Sequence, residues 1–127
     1  MTATASTAPT GPAASLVMTD WRLVATVSQA VTTAVPLTAG AKLAFGSGLP
    51  KAFVNAGCNT GSGEVELGDA VITFGPMAIT RMACADDAGN QLESKILTVL
   101  VGQVGYQITG RRLTLTKGTD SLVYQAP

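Results

Sequence analysis

Apolar and polar residues alternate along most of the chain beyond Leu16, with the period of two that is typical of β-strands buried on one face. In the first such stretch, Trp21, Leu23, Ala25 and Val27 fall on the same side of a strand. Further strands are predicted at Ala41–Phe45, Lys51–Ala56, Glu64–Leu67 and Ala70–Phe74, and around the alternating pairs Tyr106/Ile108, Leu113/Leu115 and Leu122/Tyr124.

Glycine and proline residues separate these strands. Gly57–Gly63 is predicted to be a loop, because its glycines and its asparagine allow positive φ angles and tight reversals. Gly68-Asp69 predicts a hairpin turn, and Gly75-Pro76 follows the end of a strand. The segment Val31–Gly40 is ambiguous, since Pro36 restricts it to a loop or an edge strand.

One segment changes to a helical period. Leu92, Ile96, Val99 and Leu100 recur at the spacing of a single helix face, which predicts a helix over roughly residues 87–101. Asp86 or Asp87 is the expected N-cap. The apolar face is expected to pack on the core.

About eight strands and one late helix place the chain in the α+β class. We expect an antiparallel sheet that curls, with the helix covering its open side. A sheet of this length curls, and a helix can cover its open side.

The N-terminal segment differs from the rest of the chain. Residues 1–15 are dominated by Thr, Ala, Ser and Pro without periodicity, which predicts a disordered spacer or tether ahead of a domain at residues 16–127. The segment lacks the basic start and apolar run of a signal peptide. It is either the tether that follows a removed signal and lipid-bearing cysteine, or a disordered terminus with cloning residues.

Composition excludes several classes of function. Histidine is absent, so Ser-His-Asp and Cys-His catalytic arrangements cannot form, and with two cysteines a zinc site is not expected. We therefore expect no enzyme, no metal and no cofactor. Eight basic and eight acidic residues give zero formal charge without a basic stripe, which argues against nucleic-acid binding. No apolar run approaches the roughly 20 residues that span a bilayer.

The two cysteines, Cys58 and Cys84, enclose 25 residues. A disulfide between them would stabilise the fold by roughly 3–4 kcal/mol on the chain-entropy estimate and would indicate an oxidising compartment. Two unpaired buried thiols and a redox-active couple are the alternatives, although no CxxC motif is present.

An ordered set of motifs resembles the META domain, the family that includes the heat-inducible HslJ lipoproteins. The motifs are Trp21-Arg22-Leu23, Gly57-Cys58-Asn59, Phe74-Gly75-Pro76-Met77 and Thr80-Arg81-Met82-Ala83-Cys84, followed by the helix and the strand with Leu113-Thr114-Leu115. The chain departs from the family at Thr60, where a basic residue is common, and in the apolar character of its Val31–Gly40 segment.

The resemblance implies an exported protein of the bacterial envelope (periplasm or outer surface), often lipid-anchored, with roles in stress, antibiotic tolerance, motility or virulence. It also implies a strongly curved antiparallel sheet, open and barrel-like, with one helix packed against it. It implies no catalytic residues. We expect a non-enzymatic domain that binds an envelope protein, or a lipid whose acyl chain lies within the curved sheet. The alternative is a structural module of a larger lipoprotein, and a hydrolase without histidine is disfavoured. We expect a monomer rather than a dimer, and any lipid anchor would lie outside this sequence.

The candidate site residues are weighed against structural roles. Gly57, Asn59 and Gly61 could shape a binding loop, but more often such residues only let the backbone turn. Arg81, flanked by Thr80 and Met82 of the motif, could contact an anionic head group or form an ion pair with an acidic side chain. Glu64 and Glu66 share a face at strand spacing, which is typical of a solvated surface, and Trp21 is expected to anchor the core.

Overall fold

The computed structural model describes residues 15–17, 19–46, 51–80, 82 and 87–127. Most of the predicted spacer, together with Arg81, Cys84 and Asp86, lies outside these residues. The elements of the described part are β1 (Trp21–Ser28), β2 (Val31–Ala34), a 3-10 helix (Leu37–Ala39), β3 (Lys42–Phe45), β4 (Lys51–Asn55), β5 (Thr60–Leu67), β6 (Val71–Ile79), α1 (Asp87–Val99), β7 (Gly102–Thr109), β8 (Arg112–Lys117) and β9 (Asp120–Gln125).

The strands form a closed antiparallel β-barrel of eight strands with one extra strand. Neighbours follow the order β1-β3-β4-β5-β6-β7-β8-β9, and β1 pairs with β9 to close the ring. The extra strand β2 shares one edge of β1 with β3: Trp21 and Arg22 pair with β3, whereas residues 25–28 pair with β2. The predicted α+β class and curved antiparallel sheet are confirmed, and the sheet closes on itself where we expected an opening.

Alternating side chains from all eight barrel strands fill the interior. Helix α1 and the residue after it add Ile96, Val99 and Leu100 to this core. The largest fully buried strand residues are Trp21, Leu23, Leu43, Ile72, Val104, Leu113, Leu115, Leu122 and Tyr124. Phe45 and Phe74 add a tilted ring contact with centroids 6.3 Å apart. The barrel therefore has a packed core of side chains, and the grooves described below lie between surface elements.

Strand β5 begins at Thr60, four residues earlier than the sequence predicted, so most of the expected loop Gly57–Gly63 is strand. Gly61 and Gly63 are needed because β6 approaches closely. A Cβ at Gly61 would lie 2.8 Å from Ile79 Cγ1, and one at Gly63 would lie 2.6 Å from the carbonyl oxygen of Pro76. Gly61 and Gly63 therefore allow close packing of two strands, whereas the sequence pattern predicted that they belong to a loop.

Strand β6 also runs past its predicted end. It continues through Gly75-Pro76 to Ile79, opposite the early part of β5. The pairing shifts register between Gly63 and Val65. Such an irregularity leaves a backbone position without a ladder partner, which is where a proline is tolerated within a sheet.

Helix α1 matches the predicted apolar stripe. Ile96, Val99 and the following Leu100 are buried, and Leu92 packs at the edge of the core. The helix contacts β8 and β9. Gly102, at φ 62°, starts the next strand just after the helix ends. No helix in the described part of the chain is both long and apolar enough to cross a membrane.

One buried hydroxyl predicts a pH effect on stability. Tyr124 is fully buried, its hydroxyl has no hydrogen-bond partner among the described residues, and burial raises its pKa well above the ordinary value of about 10. Below about pH 10 the phenol is neutral in both the folded and the unfolded protein, so its ionisation does not affect the free energy of unfolding. Above about pH 10 the unfolded chain ionises while the folded protein stays neutral, so the free energy of unfolding falls as the pH rises.

Tyr124→Phe is therefore expected to flatten the loss of stability above about pH 10. At neutral pH it should be neutral or stabilising by up to about 1 kcal/mol, since it removes an unpaired buried hydroxyl. Urea unfolding at pH 7 and at several alkaline values measures both effects. Parallel pH profiles for the two proteins would contradict the assignment.

Candidate functional site

The Gly-Cys-Asn segment forms a tight turn between β4 and β5. Gly57 adopts φ 99°, a conformation that side chains disfavour. Its N–H donates to Asn55 Oδ1 at 2.9 Å, and the Ala56 N–H donates to the Asn59 carbonyl at 2.8 Å. Here the sequence expectation of a glycine-dependent reversal is met at Gly57, within residues 56–59.

Asn59 lies at the centre of a buried hydrogen-bond cluster. It is 3% exposed. Its Nδ2 donates to the Met82 carbonyl at 2.9 Å and to Glu93 Oε2 at 3.1 Å. Its Oδ1 accepts from the Met82 N–H at 2.7 Å and from Thr80 Oγ1 at 2.9 Å. One amide thus joins the turn, the segment after β6 and helix α1.

Asn59→Ala is expected to lower the free energy of unfolding by about 2–3 kcal/mol, because it leaves several buried polar groups without their hydrogen-bond partner. Asn55→Ala is the matched control, since that amide accepts one bond from the same turn and should cost only about 1 kcal/mol. Chemical unfolding of both variants makes the comparison. Equal losses would show that the cluster is not cooperative.

Cys58 lies against the same cluster. Its Sγ is 3.5 Å from Glu93 Oε1, and the neighbouring Asn59 holds the backbone of Met82. Met82 is two residues from Cys84, which lies outside the described residues. The Cys58–Cys84 bridge therefore stays a prediction, tested below by substitution.

The remaining motif residues have mainly structural surroundings. Trp21 is fully buried, and its indole N–H donates to the Leu16 carbonyl at 3.0 Å. Thr80 is tied to Asn59 and Thr60, while the Met82 side chain is 64% exposed. Arg81 lies outside the described residues, so its contact with a head group or an acid is untested.

Acidic residues do not gather into a reactive cluster in the described part of the chain. Glu64 and Glu66 are both exposed, as a solvated face requires. No group of three or more His, Cys, Asp or Glu side chains is placed to hold a metal among the described residues.

An apolar groove lies between helix α1 and the segment that follows β2. Its volume is about 560 Å³. The walls include Val35, Pro36, Ala39, Ala56, Ala88 and Leu92. Among the described residues that line the groove, Lys95 is the one that carries a charge. We call this the apolar groove.

A second, polar groove of about 390 Å³ continues along the same flank of α1, against β1 and β9. Hydroxyl-bearing residues line much of it, including Ser28, Ser94, Thr98 and Ser121. We call this the polar groove. Thr26, Gln91 and Lys95 line both grooves and form their shared boundary.

Sequence reasoning missed the residues that build these surfaces. Glu93 belongs to none of the sequence motifs, yet it reaches Asn59 across the fold. Thr26 and Lys95 carry no motif, and they line the same grooves only because β1 and α1 come together in three dimensions. No local pattern reports that juxtaposition.

The chain matches the META domain over residues 14–127. It is 34% identical over 68 residues to heat shock protein HslJ of Escherichia coli (strain K12), a match that covers 54% of this chain and 49% of that protein. The matched part therefore spans about half the length of this curated relative.

Two solved structures share the fold. An NMR structure of a protein from Burkholderia xenovorans gives a TM-score of 0.67 at 25% identity, covering 97% of this chain and 99% of that one. A second NMR structure gives a TM-score of 0.64 at 24% identity, with 84% and 87% covered. The second likeness shows the fold alone.

Proposed function

This chain belongs to the META domain family, and we propose that it is a non-enzymatic domain of the bacterial cell envelope that binds an apolar chain, such as that of a lipid, in the apolar groove. The observation that carries this proposal is the groove itself. Its volume of about 560 Å³ falls in the range of small-molecule sites, and alanine and glycine residues make up much of its lining.

The packing of the barrel supports this location. Trp21, Tyr124 and the surrounding aliphatic side chains occupy the interior, so a bound chain would lie outside the barrel. This differs from our sequence expectation of an acyl chain within the curved sheet. A groove between a helix and a loop can also accommodate a ligand with smaller movements than a packed core allows.

The envelope location and the stress context are parts of the same proposal. The cysteine pair in a chain without histidine supports an oxidising compartment. Similarity to a heat shock protein supports a role in stress. The absence of histidine supports a binding role over catalysis, because the usual general base is missing.

Binding of N-phenyl-1-naphthylamine, an uncharged fluorescent probe, tests the apolar groove. We expect the folded protein to enhance probe fluorescence saturably. Ala88→Trp should abolish this, because Ala88 is an exposed helix residue whose enlargement would fill the groove. Asn90→Trp is the matched control, since Asn90 is exposed on the same helix and is not among the groove residues.

Native mass spectrometry of protein from an oxidising envelope gives a second measurement. A retained acyl adduct that Ala88→Trp removes would support the proposal. No probe binding and a clean ligand-free mass would contradict it and favour the alternative, a structural module of a larger lipoprotein.

A second candidate function, binding of a protein partner, is favoured by strand β2. All four of its residues are exposed and uncharged, and in the described part it pairs only with β1. The Val35 N–H donates to the Val24 carbonyl, and residues along β2 alternate between those that bond to β1 and those that do not. The backbone N–H groups of Thr32 and Ala34 therefore point away from β1. A partner strand added there should slow hydrogen exchange at Thr32 and Ala34; unchanged exchange would exclude this mode.

A further inference from the structure

We infer that the two grooves together bind a single-chain amphiphile with an anionic head group, the chain in the apolar groove and the head group at the boundary with the polar groove. This inference rests on the proposed function and names the ligand class for the same site. Its basis is the change in character along one flank of α1, from aliphatic walls to hydroxyl-bearing walls.

The helix provides a continuous wall for such a ligand. Ala88, Gln91, Lys95 and Thr98 recur at intervals of three or four residues, so they follow one face of α1. At a rise of about 1.5 Å per residue, the part of this face that lines the apolar groove extends roughly 10 Å from Ala88 to Lys95. That length suits part of an extended acyl chain whose head group lies at Lys95.

Lys95 supplies the charge that favours an anion. It is exposed, it lines both grooves, and no described carboxylate forms an ion pair with it. It is also the one charged residue among the described residues that line the apolar groove. A cation at the polar end of an apolar groove is complementary to a carboxylate or phosphate that ends an acyl chain.

Thr26 is the second, independent observation. It is 4% exposed, its hydroxyl has no hydrogen-bond partner among the described residues, and it lines both grooves. Among the described residues the one fully buried side-chain polar atom without a partner is the Tyr124 hydroxyl, so the Thr26 hydroxyl stays open to the groove, where it can donate to or accept from a head group. Its position at the boundary places that unused donor and acceptor beside Lys95 and Gln91.

Asp120 limits where the anion can sit. It also lines the polar groove, and its Oδ1 accepts a hydrogen bond from Ser28 Oγ at 2.8 Å. Its carboxylate disfavours an anionic group beside it. Asp120 is absent from the apolar groove, so the boundary formed by Thr26, Gln91 and Lys95 is the favourable position.

Dodecanoate and dodecanol, which share a chain length and differ in charge, separate head-group recognition from binding of the chain. Isothermal titration calorimetry below the critical micelle concentration is expected to show tighter binding of dodecanoate than of dodecanol. Lys95→Gln should weaken dodecanoate about fivefold, as an exposed ion pair of about 1 kcal/mol implies, and leave dodecanol unchanged. Lys42→Gln removes an exposed cation outside both grooves and should change neither.

Thr26→Val keeps the shape and removes the hydroxyl. We expect it to weaken both amphiphiles several-fold, to leave probe binding unchanged and to leave the melting temperature unchanged or higher. A shifted melting temperature without an affinity change would assign Thr26 a purely structural role and overturn its part in recognition.

The outcomes distinguish the two levels of the proposal. If dodecanol and the naphthylamine probe bind but dodecanoate gains nothing from Lys95, the head-group inference is wrong and the groove function stands. If none of the three binds, the proposed function itself fails. Stronger dodecanoate binding that persists in Lys95→Gln and falls in Lys42→Gln would place the anion elsewhere.

Discussion

Trp21→Ala is expected to lower the free energy of unfolding by about 3–5 kcal/mol, the usual cost of emptying a large buried site. Trp21 is fully buried, pairs with Leu43 of β3 and donates its indole N–H to Leu16. It lies at the start of the strand that closes the barrel. Its removal would therefore leave a cavity where β1 and β3 meet.

Two control variants separate the contributions of Trp21. Trp21→Phe keeps most of the buried ring and loses the hydrogen bond, so it should cost about 1–2 kcal/mol. Phe53→Ala removes an aromatic ring that is 49% exposed and should cost less than about 1 kcal/mol. Urea unfolding followed by far-ultraviolet circular dichroism suits all variants, because Trp21 is the sole tryptophan and fluorescence would be lost. A loss below 1 kcal/mol for Trp21→Ala would contradict its role in the core.

Cys58→Ser is expected to cost about 3 kcal/mol in protein from an oxidising compartment, because the predicted bridge to Cys84 restricts the unfolded chain. The fold supports such a bridge from one side: Cys58 adjoins Asn59, which binds both backbone groups of Met82. Position 84 is two residues further along the chain, a span of at most about 7 Å.

Matched variants make the cysteine prediction specific. Cys84→Ser and the variant with both substitutions should be destabilised as much as Cys58→Ser. A reductant should lower the stability of the wild-type protein to the same level. The denatured mass of the wild type should be two hydrogens short. Unchanged melting temperatures with a full complement of hydrogens would show that the bridge does not form and that the thiol alternatives apply.

The two predictions concern different parts of the fold. Trp21 belongs to the closure of the barrel, whereas Cys58 belongs to the junction of the turn, the segment after β6 and helix α1. If the groove binds an amphiphile, the junction around Cys58 also matters for function, because Cys58 and Gly57 line the apolar groove. Loss of the bridge is then expected to weaken probe binding as well as stability.

The sequence by itself determined the local elements where hydrophobic period and turn chemistry agree. Helix α1 follows from Leu92, Ile96 and Val99, whose spacing suits no other regular structure. The last strands follow from strict alternation, as in Leu113 and Leu115 of β8. The family resemblance extended these elements to a curved antiparallel sheet, because its motifs occur in order along the chain.

Prediction from the local sequence pattern was wrong where a residue is required by its contact with another strand. Gly61 and Gly63 suggest a loop, but the close approach of β6 requires them inside β5. Strand β2 was ambiguous because its hairpin turns at Gln29 and Ala30, which adopt positive φ without the usual glycine or asparagine signal.

Only the tertiary structure decided how the sheet closes and what it presents to solvent. Pairing of β1 with β9 joins residues about a hundred positions apart, and nothing in either strand's alternation specifies the other as its partner. The Asn59–Glu93 contact and the boundary of Thr26 with Lys95 depend in turn on where that closure places α1. Periodicity encodes which face of an element is buried, while the identity of the neighbour comes from packing all the elements at once.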